Sequence, residues 1–185
     1  MWRKLLKAPH VFKRRVQKQG LSGALLWASV RSVDVFTGIP LLPFSRISPQ
    51  IYVGPQFGKF GKWLLERKGI TACVNLRAEF DDAVHNLKLG DYCYLPTVDD
   101  EAPAPDALER GVKFIQQTVD SGGKVYIHCA GGVGRAPTMC AAYLIHQGLN
   151  FDQALNLIRK SRPFIQPSPA QLECLKYLPK RSVEK

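Results

Sequence analysis

The chain has 185 residues, 45% hydrophobic and 22% charged, a globular composition with enough apolar material for a core and unlike that of a disordered or fibrous chain. Its five cysteines (Cys73, Cys93, Cys129, Cys140 and Cys174) are odd in number and scattered, without a C-x-x-C pair or His-rich spacing, which argues against a disulfide scaffold and a zinc site and suits a reducing compartment. Of the 26 basic residues behind the net charge of +11, eight lie in residues 1–33 with no acid, leaving 18 against 15 acidic residues and no basic stripe with interleaved aromatics of the kind nucleic acid requires.

Residues 1–46 read as a basic N-terminal extension. Trp2, Leu5, Leu6, Val11, Phe12 and Val16 recur at near-helical spacing among Arg3, Lys4, Lys7, Lys13, Arg14 and Lys18. Three readings stand: a helix lying on an anionic membrane surface, a solvated or self-packed tail, or, in a eukaryote, a mitochondrial presequence. The charge-free runs 19–30 and 136–151 are both too short to span a bilayer. The expected location is therefore cytoplasmic, peripheral at a membrane if residues 1–33 bind one.

From residue 47 the pattern alternates short strands with helices. Residues 47–53 read as a strand, 59–68 as a helix stopped at Gly69, 71–76 as a β-branched buried strand and 91–95 as another strand. A helix over 105–121 carries Leu108, Val112, Ile115 and Val119 on one face and ends at Gly122 and Gly123. A strand at 124–128, a glycine-bearing loop, and helices over 135–147, 152–161 and 170–177 complete the series. The expected fold is α/β, a central mostly parallel sheet flanked by helices, over residues 47–180.

The informative stretch is 124–135, Lys-Val-Tyr-Ile-His-Cys-Ala-Gly-Gly-Val-Gly-Arg, a strand running into a small-residue loop that opens a helix. Ligands of α/β sheets bind at the carboxyl ends of strands. The amides of Ala130, Gly131, Gly132, Val133, Gly134 and Arg135 can curl around one anion, reinforced by the helix dipole. The three glycines are expected to allow close backbone approach and unusual φ. Cys129 sits at the lip of this loop, where the same field favours the nucleophilic thiolate. Arg135 offers a planar fork for two phosphate oxygens. His128 is expected to organise the loop by hydrogen bonding. Neither a Walker loop, which needs Gly-Lys-Ser/Thr, nor a dinucleotide fingerprint, which needs glycine at Pro137, fits. A buried structural cysteine explains Cys140 well and Cys129 poorly.

The His-Cys-x5-Arg pattern at 128–135 resembles the protein tyrosine phosphatase superfamily, in particular its dual-specificity branch. The similarity extends over about 46–178, including Ile-Ser-Pro-Gln-Ile-Tyr-Val-Gly-Pro at 47–55, Val-Asn-Leu-Arg at 74–77 and Ser-Arg-Pro-Phe-Ile-Gln-Pro at 161–167. It implies no metal or cofactor, a phosphorylated protein or phospholipid substrate, and two-step hydrolysis through a cysteinyl-phosphate. It also implies a general acid on a mobile loop upstream of the cysteine, where Asp99 is the first choice and Asp100 the second.

The chain departs from the family pattern after Arg135: Ala136 stands where Ser or Thr usually assists the second step, with Thr138 a substitute only if it turns inward. Arg-Ala-Pro is similar to the loop of plant glucan phosphatases, without an evident carbohydrate module. The interval 130–134 is neutral, whereas phosphoinositide and phosphatidylglycerophosphate phosphatases often carry Lys or Arg there; the 138–145 helix nevertheless resembles the mitochondrial lipid phosphatase group. Protein phosphatase leads lipid phosphatase, with a non-catalytic phosphate-binding module as the alternative of another class. Arg159 and Arg162 read as helix-end and turn residues, and Trp63, Tyr143, Leu144 and Ile145 as core.

Overall fold

The computed structural model describes residues 44–176 and 178. The membrane, presequence and tail readings of the N-terminal extension fall almost wholly outside the described residues. Five strands form one sheet in the order β1-β2-β5-β3-β4: β1 (Ser45–Arg46), β2 (Ile51–Gly54), β3 (Ala72–Arg77), β4 (Asp91–Thr97) and β5 (Val125–His128). Only the β1–β2 pairing is antiparallel, as expected of a mostly parallel sheet.

The expected strand over 47–53 is a turn over 47–50 followed by β2 from Ile51. Ile47 and Ser48 donate their amides back to Ile51 O (2.8 and 3.3 Å), closing a turn around Pro49, which has no N–H to offer a ladder. Ser45–Arg46, assigned to the extension on sequence, pairs with Tyr52–Val53 as the sheet's edge.

Helices connect the parallel strands: α1 (Lys59–Arg67) between β2 and β3, and α2 (Pro105–Asp120) between β4 and β5. After β5 come α3 (Arg135–His146), α4 (Phe151–Ser161) and α5 (Pro169–Lys176). Asn150 starts α4 with a reciprocal cap, its Oδ1 accepting from Gln153 N (2.8 Å) while Gln153 Oε1 accepts from Asn150 N (2.9 Å).

Alternate strand residues feed two cores, one on each face. Ile51, Val53, Ala72, Val74, Val125 and Ile127 join the core built with α2, α3, α4 and α5. Tyr52, Cys73 and Tyr126 point the other way, with Phe57 and Leu65 of the α1 region. The charge-free run that begins at Ala136 is α3, buried from Arg135 to Ile145 against the first core. No helix among the described residues is long and apolar enough to cross a membrane. Trp63, expected in the core, is instead exposed, because Gly61 and Leu65 supply the buried stripe of α1. Tyr143, Leu144 and Ile145 are buried as expected.

Candidate active site

β5 ends at His128 in mid-sheet, with Gly54 of β2 on one flank and Asn75 of β3 on the other. Residues 129–134 leave that edge and enter α3 at Arg135, whose N-terminus has no side-chain cap, so its first amides face the loop interior. Of the three loop glycines only Gly132 has positive φ (+64°), and a Cβ there would lie 2.5 Å from the Gly54 carbonyl. The unusual φ expected at Gly131 and Gly134 is not found; their loop curves without it. Gly132 N donates to Cys129 Sγ (3.2 Å), so the loop aims an N–H at the sulfur, which is nearly buried.

Arg162 holds the loop from behind. Its Nε donates to Gly132 O (2.6 Å) and an Nη to Gly131 O (3.0 Å), turning the outward carbonyls away from the anion site. Gln166 N donates to Val133 O (2.8 Å), adding a backbone tie from the turn after α4. Arg162 therefore does hold a turn, and the turn is the phosphate loop itself. Burial pushes its pKa down. Arg159 stays exposed with Asn156.

The Arg135 guanidinium is buried and meets carboxylates on two loops. It makes a two-point pair with Glu79 (2.9 and 3.0 Å), donates to Thr97 O (2.7 Å), and reaches Asp99 Oδ1 at 3.2 Å. Burial disfavours both charges, but the hydrogen bonds from Arg135 and Arg77 prevail at Glu79 and bring its pKa to about 2. At Arg135 burial likewise opposes the charge, and the Glu79 hydrogen bond together with the surrounding negative charges outweighs it and raises the pKa.

Asp99 is thus beside the loop cation, while Asp100 occupies a positive-φ position (+67°) with its carbonyl accepting from Ser168 Oγ (2.6 Å). Gln171, buried in α5, donates to Glu101 O (2.9 Å) and packs so closely on Gly134 that a Cβ there would meet its Oε1 at 2.8 Å. One side chain therefore touches both the acid-bearing loop and the phosphate loop.

His128 does not organise the loop in the expected way. Its Nε2 lies 2.7 Å from Asp82 Oδ2, both side chains are fully buried, and Nδ1 finds no hydrogen-bond partner among the described residues; Arg162 does the organising. Asp82 Oδ1 accepts from Gln56 (2.8 Å), Gln56 Oε1 accepts from Arg77 (2.9 Å), and Arg77 donates to Glu79 (2.9 Å). A continuous polar chain thus joins His128 at the start of the loop to Arg135 at its end. Cys73, Asp82 and His128 offer ligand atoms within 4.8 Å of one another, but both Asp82 oxygens already accept or share these hydrogen bonds. Thr138 donates its hydroxyl to Gly134 O (2.9 Å), which supports the loop and leaves that proton unavailable as a stand-in for the hydroxyl missing at Ala136.

The fold brings together Cys129, Arg135 and Asp99, as expected from sequence, and adds Glu79, Gln56, Asp82 and Gln171, which no sequence motif marks. The signal for Glu79 was its place just beyond the carboxyl end of β3, the sheet edge where ligands bind.

The model of the dual specificity phosphatase catalytic domain matches residues 51–180. Dual specificity phosphatase 28 of Mus musculus is 31% identical over 134 residues, covering 68% of this chain and 77% of the relative. Dual specificity protein phosphatase 1 of Homo sapiens is 29% identical over 127 residues, 66% of this chain but 34% of the relative, so the chain spans about a third of that protein. Among solved structures, PTPMT1 in complex with PI(5)P is similar at a TM-score of 0.67 and 27% identity, over 73% of this chain and 93% of that one. Tk-PTP in its active form is similar at 0.66 and 26%, over 73% and 95%. With well over half its length matched by the family's catalytic domain, the chain belongs to the dual specificity phosphatase branch of the protein tyrosine phosphatase superfamily and is a cysteine-dependent phosphatase.

Proposed function

We propose that the chain hydrolyses phosphomonoesters on proteins, at tyrosine and at serine or threonine, with Cys129, Arg135 and Asp99 as the reacting constellation. The observation that carries the substrate class is the charge of the loop. Residues 130–134 are neutral, and of the two arginines at the loop, Arg162 sits behind it, turned onto the carbonyls of Gly131 and Gly132. Arg135 is left to face the anion, which suits one phosphate group better than a polyanionic head group.

In the first step Cys129 Sγ attacks phosphorus in line; the S–P bond forms, the P–O bond to the leaving group breaks, and Asp99 passes its proton to that oxygen. Loop amides and the Arg135 guanidinium, whose Nε has no hydrogen-bond partner among the described residues, hold the equatorial oxygens throughout. In the second step water attacks, its proton passes to Asp99, the S–P bond breaks and inorganic phosphate leaves. With Ala136 and Thr138 as they stand, this second step is the slower one.

The lipid reading keeps one specific support, the structural similarity to PTPMT1 in its complex with PI(5)P. A panel of phosphotyrosine and phosphothreonine peptides against phosphatidylglycerophosphate, phosphoinositides and phosphoglucan separates the readings by kcat/KM. Preference for a lipid or glucan would overturn the protein assignment. Phosphopeptide binding without release of phosphate from p-nitrophenyl phosphate would favour the non-catalytic module. The basic residues 1–33 are proposed to hold the chain peripherally at anionic membrane in the cytoplasm; equal liposome binding after their deletion would remove that role.

A further inference from the structure

Among the described residues, helix α1 presents an aromatic face that the fold does not use. Phe60 and Trp63 are 50% and 46% exposed. Their rings stack with centroids 5.6 Å apart at 24°, and the Arg67 guanidinium lies 4.9 Å from the Trp63 ring centre. Spacings of three and four put the three residues on one helical face. Paired exposed rings mark an interaction surface more than isolated ones do, since each is a large apolar area left in water.

The charge around the rings is one-sided. Residues 59–68 carry Lys59, Lys62, Arg67 and Lys68 against the single acid Glu66, which is paired with Lys62 at 3.0 Å. We infer that this face docks on an anionic membrane surface, with Trp63 and Phe60 entering the headgroup boundary and Lys59 and Arg67 remaining with the lipid phosphates. Charge complementarity selects this occupant. A second copy on a two-fold axis would set one cationic face against another.

The placement is suited to a phosphatase. Phe57 lies between the two sites: its ring meets His128 edge-on (5.2 Å), and a Cβ on Gly61 in α1 would lie 2.8 Å from Phe57 Cβ. Gln56 N donates to Ala130 O (3.3 Å), so the first turn of α1 begins at the sheet edge that carries the loop. Docking through α1 would hold the loop close to phosphate groups at the membrane surface, whether on lipid or on membrane-resident protein. The inference therefore goes beyond the protein or lipid assignment.

The test uses the full chain with Trp2 and Trp27 replaced by Phe, leaving Trp63 as the only one of its three tryptophans. Its emission is followed with vesicles of brominated phosphatidylcholine, with and without phosphatidylglycerol. The expected result is quenching by the anionic vesicles alone. Lys59→Gln with Arg67→Gln should weaken partitioning about 25-fold, from roughly a factor of five per cation, while p-nitrophenyl phosphate hydrolysis is unchanged. Phe60→Ser with Trp63→Ser in the otherwise native chain should weaken co-sedimentation with the same vesicles and likewise spare hydrolysis. Sedimentation with anionic vesicles while Trp63 stays unquenched would assign binding to residues 1–33 and overturn the inference. So would absence of vesicle binding, or burial of Trp63 only on concentration-dependent self-association.

Discussion

Arg135 and Glu79 form a two-point guanidinium–carboxylate pair (2.9 and 3.0 Å) that links the end of the phosphate loop to the loop after β3. Arg77 holds the same carboxylate from the other side (2.9 Å). The pair fixes the plane of the guanidinium before substrate arrives, so less ordering is left for the encounter with phosphate. Glu79→Gln keeps the size of the side chain and loses the charge. It should lower kcat/KM about 10- to 100-fold, on the scale of removing one partner of a charge-assisted pair, with Arg135 still present to give residual activity.

The same pair sets an acid limit on stability. The pKa of Glu79 is about 2 in the folded chain and near 4.5 when free, so its contribution is fully present above 4.5 and is lost as pH falls through the interval toward 2. Urea midpoints measured from pH 6 to pH 2 should drop for the wild-type chain more steeply than for Glu79→Gln. Parallel curves would remove Glu79 from this role.

Asp99 and Asp100 are separable. Asp99→Asn should cost about 10²- to 10⁴-fold on a phosphothreonine peptide, whose leaving oxygen needs a proton, and far less on an activated aryl phosphate. Asp100→Asn should leave both rates within a few-fold, because the structure uses the Asp100 backbone carbonyl and its positive-φ geometry. The reverse ranking would transfer the acid role to Asp100.

Loop curvature rests on Gly132 and Arg162. Gly132→Ala puts a Cβ 2.5 Å from backbone at positive φ and should abolish most activity while the sheet and helices persist by circular dichroism. Arg162→Met leaves Gly131 O and Gly132 O without their donor, at about 1–3 kcal/mol each. Chemical denaturation should show that loss, and the phosphate dissociation constant should rise.

Ala136 predicts the kinetic order of the steps. Rapid mixing with p-nitrophenyl phosphate should give a burst of nitrophenol followed by slow turnover. Ala136→Ser should raise the slow phase and shrink the burst. A linear time course for the wild-type chain would place the slow step elsewhere.

The contiguous elements of this molecule were legible from sequence because their cues are local: glycine stops, helical spacing, and a strand that runs into a glycine loop. Cys129 and Arg135 were readable because one loop carries both. Glu79, Gln56 and Asp82 were not, because the parallel pairing of β2 and β3 on either side of β5 brings them to the loop from distant positions. Arg162 was read as a turn residue, but its contact with Gly131 and Gly132 depends on α4 packing back beside the loop. Trp63 was misplaced because apolar character alone does not say which stripe of a short helix faces inward; Leu65 and the small Gly61 took that place.

The central claim is that Cys129 carries the phosphoryl group. Acid quench of the chain during turnover of a phosphorylated substrate, followed by peptide mass mapping, tests it directly. A phosphate adduct should appear on the peptide containing Cys129, persist longer in the wild-type chain than in Ala136→Ser, and be absent in an inactive Cys129→Ser. Release of phosphate at the wild-type rate by Cys129→Ser, with no adduct on any cysteine, would contradict the account.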